Sequence, residues 1–459
     1  MKARRFLNVL TGKSSGGSLS RIINPRKHLF YPTIAEAQQH QIQRPAKAKA
    51  AKDSTPAASV EDKEKVGTPE EEDESTAEEN YDGVLRLPTP KLRFNTSRQM
   101  GGYVTNFDSL PFYSGTGTGE GEAKILCVDG NGMASLYDIE AATVEMMPHL
   151  NKKPDPWWNW NPVSLCVTHT TAAAEDDPSR PDAAHDPDRP DALYVMDRKG
   201  HSFEAFVYGD PNPPSPSKFM DEWYRDRVHR DRCVWHWREL PPPPIVLDEA
   251  NNYHRRGRDP VSVESYALVH GHGSEEDASS SNNTICVSFE PTASTQEWRE
   301  PNPAAGTYCF DTRTGEWTKA GDWKLPFWSR ALHVPELGNN LLFGFENRYV
   351  HIHSRFSAVD VSGTMRMDGS APALRHAWIE IDPPSGWHET DCSMVYLGDG
   401  KFCIHRSFNI MEMDGWGSDT ECVDTVVLLT GVEVVREGSR LRMVKHKSKR
   451  LDTLIHSIL

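Results

Sequence analysis

Several side chains in this 459-residue chain are spaced so that they could do chemistry. His351 and His353 alternate along an extended run, so both fall on one face and both can reach a metal ion. No third ligand stands near them in sequence, which leaves surface or channel-lining histidines as the other reading. Cys403 and His405 also share a face, but no acid beside them completes a nucleophilic triad. In Trp235-His236-Trp237 the imidazole faces away from both indoles, as a hydrogen-bonded structural histidine does. The chain holds no GxSxG, no HExxH and no complete phosphate-binding loop. The Gly-rich run 114–121 lacks the Lys-Ser/Thr that would follow it and reads as a strand connection. Asp129-Gly130-Asn131-Gly132 lacks the spacing and the terminal Glu of an EF-hand and reads as a hairpin turn. No catalytic residue, metal or cofactor is assigned, and the chain is expected not to be an enzyme.

Two other groups suit recognition. Trp157, Trp158 and Trp160 lie between Pro154, Pro156 and Pro162, and three indoles in one loop cannot all face one core. They pack across the mouth of a larger body or offer an aromatic patch to a peptide or small ligand. Near the C-terminus Arg440, Arg442, Lys445, Lys447, Lys449 and Arg450 form a basic cluster. It reads as a solvated last strand, a nuclear-import signal or a site for an acidic partner.

The elements that would position these residues are strands. Gly306 to Phe327 is the clearest stretch: β-formers Thr307 to Phe310, turn residues Asp311 to Gly315, then Glu316-Trp317-Thr318 extended again. Looser copies recur. Ala123 to Val128, Met133 to Asp138 and Thr143 to Met147 form a meander. Leu193-Tyr194-Val195-Met196-Asp197 repeats the pattern of an aromatic, apolar residues, Asp and a turn, and Val234 to Pro241 repeats the closing strand. A meander cannot bury both of its faces alone, so stacked copies around an axis are expected. The fold class predicted is all-β, a kelch-like β-propeller of five to six four-stranded blades, with seven as the upper count. Tyr194, Trp237, Tyr308 and Trp317 then pack between blades rather than form a ligand box.

Composition divides the chain. Residues 1–34 form a basic N-terminal segment whose Phe30 and Tyr31 suit docking onto the propeller. Residues 35–83, Ala/Gln/Lys-rich and then Glu-rich, are predicted to be a disordered linker with a helical turn or two near 35–42. The propeller is expected over 84–459. The net charge of −15 argues against general nucleic-acid binding. The eight cysteines form no CxxC pair and sit mostly in apolar runs, so small buried hydrophobes in a reducing compartment are expected. No apolar run is long enough to span a bilayer. The expected setting is cytoplasmic or nuclear, with organelle transit a minor alternative. A protein partner, no nucleic acid, no membrane and a monomer complete the expectation.

The chain also resembles a plant family of uncharacterised proteins, the domain-of-unknown-function 1668 type. The resemblance rests on Arg4-Arg5-Phe6-Leu7-Asn8, Arg21-Ile22-Ile23-Asn24-Pro25, Leu29-Phe30-Tyr31-Pro32, Leu193 to Asp197, Trp235 to Pro244, and Gly306 to Asp311 with Gly321-Asp322-Trp323. It implies a kelch-like or F-box-associated propeller, although no F-box is visible at the N-terminus and the kelch Gly-Gly doublet is missing from the repeats. The functional expectation is a protein–protein interaction module or adaptor. The alternative is an enzyme or small-ligand binder that uses the central channel.

Overall fold

The computed structural model describes residues 4–13, 16–53, 81–94, 107–113, 123–129, 132–139, 141–151, 162–167, 192–211, 232–246, 261–270, 283–291, 305–346, 353–363, 369–384, 386–413, 420–438, 440–455 and 457–459. Short β-rich runs and turn residues lay most of these down as antiparallel strands. At the N-terminus β1 (Phe6–Lys13) and β2 (Gly16–Ile23) form a hairpin. Then come α1 (Pro25–Leu29), α2 (Ile34–Asp53), β3 (Val84–Leu85) and β4 (Leu92–Phe94).

Meanders follow. The first unit is β5 (Phe107–Tyr113), β6 (Ala123–Asp129), β7 (Ala134–Asp138) and β8 (Thr143–Met147). The second is β9 (Val163–Val167), β10 (Ala192–Met196), β11 (Phe203–Gly209) and β12 (Val234–Glu239). The third is β13 (Val261–His270), β14 (Asn283–Pro291), β15 (Gly306–Asp311) and β16 (Glu316–Gly321). The fourth is β17 (Phe327–His333), β18 (Leu341–Glu346), β19 (Phe356–Asp360) and β20 (Ala373–Trp378). The fifth is β21 (Trp387–Gly398), β22 (Lys401–Met413), β23 (Thr420–Glu437) and β24 (Arg440–Leu451), with β3 added parallel to β24. Finally β25 (Ser457–Ile458) pairs with β1, so a sixth unit, ordered β25-β1-β2-β4, is built from both ends of the chain.

The first strands of neighbouring units run side by side. β9 lies against both β5 and β13, and β21 lies against β25. β13 and β17 pair in parallel, from Ser265↔Ser329 to Leu268↔Leu332, and so join the third and fourth units into one eight-stranded sheet.

The period of two along each strand decides the packing. On β6, Leu126 and Val128 face the second unit, while Ile125 and Cys127 face the terminal unit. On β10, Leu193 and Val195 face back to the first unit, and Ala192, Tyr194 and Met196 face forward to the third. Between the third and fourth units Ala267, Cys309, Phe327 and Leu342 share one core. Between the fourth and fifth, Phe343, Phe356, Phe402 and Val432 share another. On β1, Leu7 and Val9 pack with Leu397 and Leu429 of the fifth unit, and Leu10 packs with Ile125 and Tyr137 of the first. Each unit thus shares one apolar core with the unit before it and one with the unit after it. Every fully buried Leu, Val or Phe contributes about 1.5–3 kcal/mol through that burial.

Turn chemistry is local and recurrent. Asp311 Oδ1 accepts from the backbone N–H of Arg313 at 2.7 Å, and Asp360 Oδ1 from that of Ser362 at 2.8 Å. Asp197 Oδ1 accepts from Lys199 N–H at 2.7 Å. The repeat is offset in one place. Asp311 and Asp360 end the third strand of their units, whereas Asp197 follows the second strand of its own. The sequence likeness of 193–197 to 307–311 is a likeness of turns, not of positions in the unit.

Two boundaries differ from the sequence expectation. The folded body does not begin at Val84, because residues 6–23 supply two strands of the terminal unit and Leu29 and Phe30 sit in the core shared with the fifth unit. α2 is also longer than a turn or two, running from Ile34 to Asp53. Thr33 caps it: its Oγ accepts from Glu36 N–H at 3.2 Å and donates to Glu36 Oε1 at 3.1 Å. Ala, Gln, Lys and Arg then supply helix propensity without an apolar face. No helix among the described residues is long and apolar enough to cross a membrane.

Candidate functional site

β23 is the longest strand, and its two edges are treated differently. It pairs with β22 from Thr420 to Glu433 but with β24 only from Leu428 onward. Residues 420–427 therefore leave one edge without a strand partner among the described residues. β24 ends at Leu451, and the chain turns away toward β25. A groove of about 620 Å3 opens there, lined among others by Val84, Val423, Asp424, Arg450 and Leu454. Three of its apolar members are open to solvent, Val84 at 55% exposure, Val423 at 52% and Leu454 at 52%, while Val427 and Leu451 form a buried floor. Asp424 holds the two walls together. Its Oδ2 meets Arg450 Nη2 at 3.1 Å, and its Oδ1 accepts the edge N–H of Thr425 at 2.7 Å. A side chain thus occupies a backbone donor that a neighbouring strand would otherwise take.

The basic cluster lies along β24 beside this groove. Arg440 is exposed, and Arg442 pairs with Glu437 at 2.7 Å. The Lys445 carbonyl accepts from Gln41 Nε2 of α2 at 2.6 Å, and Lys447 Nζ sits 4.7 Å from the centre of the Tyr31 ring. Lys449 donates to the Asp82 carbonyl, and Arg450 reaches Asp424. The cluster is one strand of a sheet, with the N-terminal helices and Asp82 laid against it.

A second polar cluster lies inside, between the fourth and fifth units. Arg406 on β22, 3% exposed, donates to Glu380 and to Glu389 through two different nitrogens, and its Nη2 donates to the Ser354 carbonyl at 2.7 Å. Ser354 Oγ donates to Glu389 Oε1 at 2.6 Å. Burial works against the charge of Arg406, and the two carboxylates outweigh it and raise its pKa. The guanidinium also lies 5.1 Å from the centre of the Phe345 ring. Glu380 Oε2 is buried without a hydrogen bond.

The sequence candidates for chemistry fall around this cluster. His353 is half-buried, its Nδ1 has no hydrogen-bond partner, and burial lowers its pKa although Glu389 works to raise it. His351 lies outside the described residues, as do Trp157, Trp158, Trp160 and the Gly-rich run 114–121. Among the described residues no group of three His, Cys, Asp or Glu is placed to hold a metal ion. His405 is fully buried between Ser393 Oγ at 3.1 Å and Ser407 Oγ at 2.9 Å, and burial pushes its imidazole down to about 3. Cys403 is buried in the core shared with the terminal unit, and burial pushes its thiol up to about 12.

The aromatic residues pack where the repeat reading puts them. Trp235 and Trp237 both lie on Phe206, at 4.8 and 4.9 Å between ring centres, and His236 Nδ1 sits 3.1 Å from the Val234 carbonyl. Trp317 packs on Phe310 and Phe203 and donates its indole N–H to the Pro241 carbonyl at 2.8 Å, so it ties the third unit to the second. Sequence reasoning missed the groove, because its open edge is set by where β24 stops pairing.

A family model described as a protein of unknown function, DUF1668, matches residues 4–451. The chain belongs to that family. No curated protein matches it.

Proposed function

We propose that the chain is a non-catalytic interaction module that receives an extended segment of a protein partner on the open edge of β23. The observation that carries this reading is the coincidence at one place of a strand edge unpaired among the described residues, a groove of about 620 Å3 and three half-exposed aliphatic side chains. An added strand would take the backbone groups of the edge and set alternate side chains into the groove. Asp424 and Asp452 against Arg450 give the walls an acidic balance, so the partner segment carries apolar residues with a Lys or Arg among them.

We read the scaffold as a six-bladed, kelch-like propeller. Six units, each sharing a core with two neighbours, and first strands set side by side support a closed ring, and β25 with β1 would form its seam. Eight free cysteines fit a cytoplasmic or nuclear setting.

Selection from a displayed library of unstructured peptides, using the purified full chain, tests the binding reading. Enrichment of apolar–basic sequences is expected. Thr425→Pro removes the edge N–H and should abolish binding with the fold intact. Retention of the same peptides by Thr425→Pro would overturn the proposal, as would no enrichment at all.

A further inference from the structure

One pair of thiols in the third unit is placed for chemistry that the interaction reading does not use. Cys286 on β14 and Cys309 on β15 are direct cross-strand partners, each 1% exposed, with their sulfurs 2.8 Å apart. The ladder fixes what kind of pair they are. Thr312 N–H donates to the Asn283 carbonyl at 3.1 Å, which makes 283 and 312 a hydrogen-bonded pair of the same ladder. Hydrogen-bonded and non-hydrogen-bonded pairs alternate, so 285 with 310 is of the first kind and 286 with 309 of the second. In the second kind opposite Cα atoms come to about 4.5 Å, inside the roughly 4.4–6.8 Å that a disulfide spans. The next such pair behaves alike, with Ser288 Oγ and Thr307 Oγ1 at 2.8 Å.

We propose that Cys286 and Cys309 are a reversible modification site, a cross-strand dithiol that a small-molecule disulfide such as oxidised glutathione converts to an intrachain disulfide. One protein thiol gives up its proton, and its thiolate attacks a sulfur of the small disulfide. A mixed disulfide forms, and one small thiolate leaves and takes up a proton. The second protein thiolate attacks the protein sulfur of the mixed disulfide and expels the other small thiolate. Two protein thiols and one small disulfide become one protein disulfide and two small thiols, with no further oxidant. The hydrogen bond shared with the partner thiol and then burial raise the pKa of Cys286, so the exchange waits for β15 and β16 to open and is slow. Once closed, the bridge pins the two central strands of the unit beside the core shared with the fourth unit.

The test incubates the full-length folded chain in glutathione buffers graded from reducing to oxidising, then acid-quenches, alkylates the free thiols and maps the peptides. The Cys286 and Cys309 peptides are expected to lose alkylation together, to appear as one linked pair lighter by two hydrogens, and to return on reduction. In Cys286→Ala no linked peptide involving Cys309 forms. The wild-type map needs no variant to fold. Both thiols remaining alkylated in the most oxidising buffer would overturn the proposal. So would their appearance only as glutathione adducts or as links to other cysteines.

Discussion

The fifth unit carries two polar places that solve opposite problems. On its inner side Arg406 is enclosed with Glu380 and Glu389, and every charge there is shut away from water between two sheets. On its outer side Asp424 and Arg450 are half-open, and Asp424 covers one backbone donor of an edge that has no strand beside it among the described residues. The inner cluster is expensive to assemble and is enclosed between the two units, so its charge specifies how they meet. The outer place holds weak, solvent-screened contacts over an apolar groove, which a partner can displace at little cost. On the proposed reading, unsatisfied edge is a better guide to function in this molecule than buried charge.

The inner cluster offers the largest effect. Arg406→Ala leaves two buried carboxylates facing each other and should cost about 3–5 kcal/mol of unfolding free energy. Denaturant unfolding of the full chain measures it. Replacing all three, as Arg406→Met with Glu380→Gln and Glu389→Gln, should restore most of the loss. If the triple variant is as unstable as the single one, the cluster does more than join two units.

The seat of the N-terminal helices comes next. Gly431 lies on β23 where the Leu29 carbonyl passes so close that an added Cβ would stand 2.3 Å from it. Gly431→Ala must push α1 off the sheet and should cost about 1–3 kcal/mol. A change below about 0.5 kcal/mol in the same unfolding measurement would mean that the N-terminal segment rests only loosely on the fifth unit.

A pH effect follows from His405. Burial holds its pKa near 3, well below the unfolded value of about 6.5. The unfolded chain therefore binds the proton first, and the stability contributed by neutral His405 is complete above pH 6.5. It is lost as pH falls from there toward 3, at up to about 1.4 kcal/mol per pH unit. His353, His376 and His446 are shifted in the same direction, mainly by burial, and add to the slope. His405→Asn should flatten the curve between pH 6 and 4 relative to wild type. An unchanged slope would show that His405 is not buried neutral.

How much of this could be read beforehand depends on how local each feature is. The Asp311 turn and the indole of Trp317 between units are properties of a few consecutive residues, and the sequence carried them. The terminal unit is not local. Leu7 to Leu10 are buried in succession, and the second strand that covers them lies at the other end of the chain, with Asn8 N–H donating to the Leu459 carbonyl at 3.1 Å. Composition at 34–53 showed helix propensity, but the absence of an apolar face made it read as linker. The basic residues of β24 were visible as a cluster, whereas Tyr31 and Asp82 beside them arrive from far upstream.

The smallest expected effect on stability separates the two places most sharply. Val423 is half-exposed on the open edge, so Val423→Glu should leave unfolding free energy within about 0.5 kcal/mol of wild type. The added carboxylate joins Asp424 and Asp452 beside the groove, and it must be desolvated by any apolar segment that enters. Affinity for a selected apolar–basic peptide should then fall by about tenfold or more, read by fluorescence anisotropy at fixed salt, with the pH–stability curve unchanged. A gain in affinity at low salt would mean that the basic residue of the partner, not its apolar one, sits over position 423, and would reverse the assumed register of the added strand. Loss of stability without loss of binding would instead make the edge part of the frame, like Arg406 on the other side of the same unit.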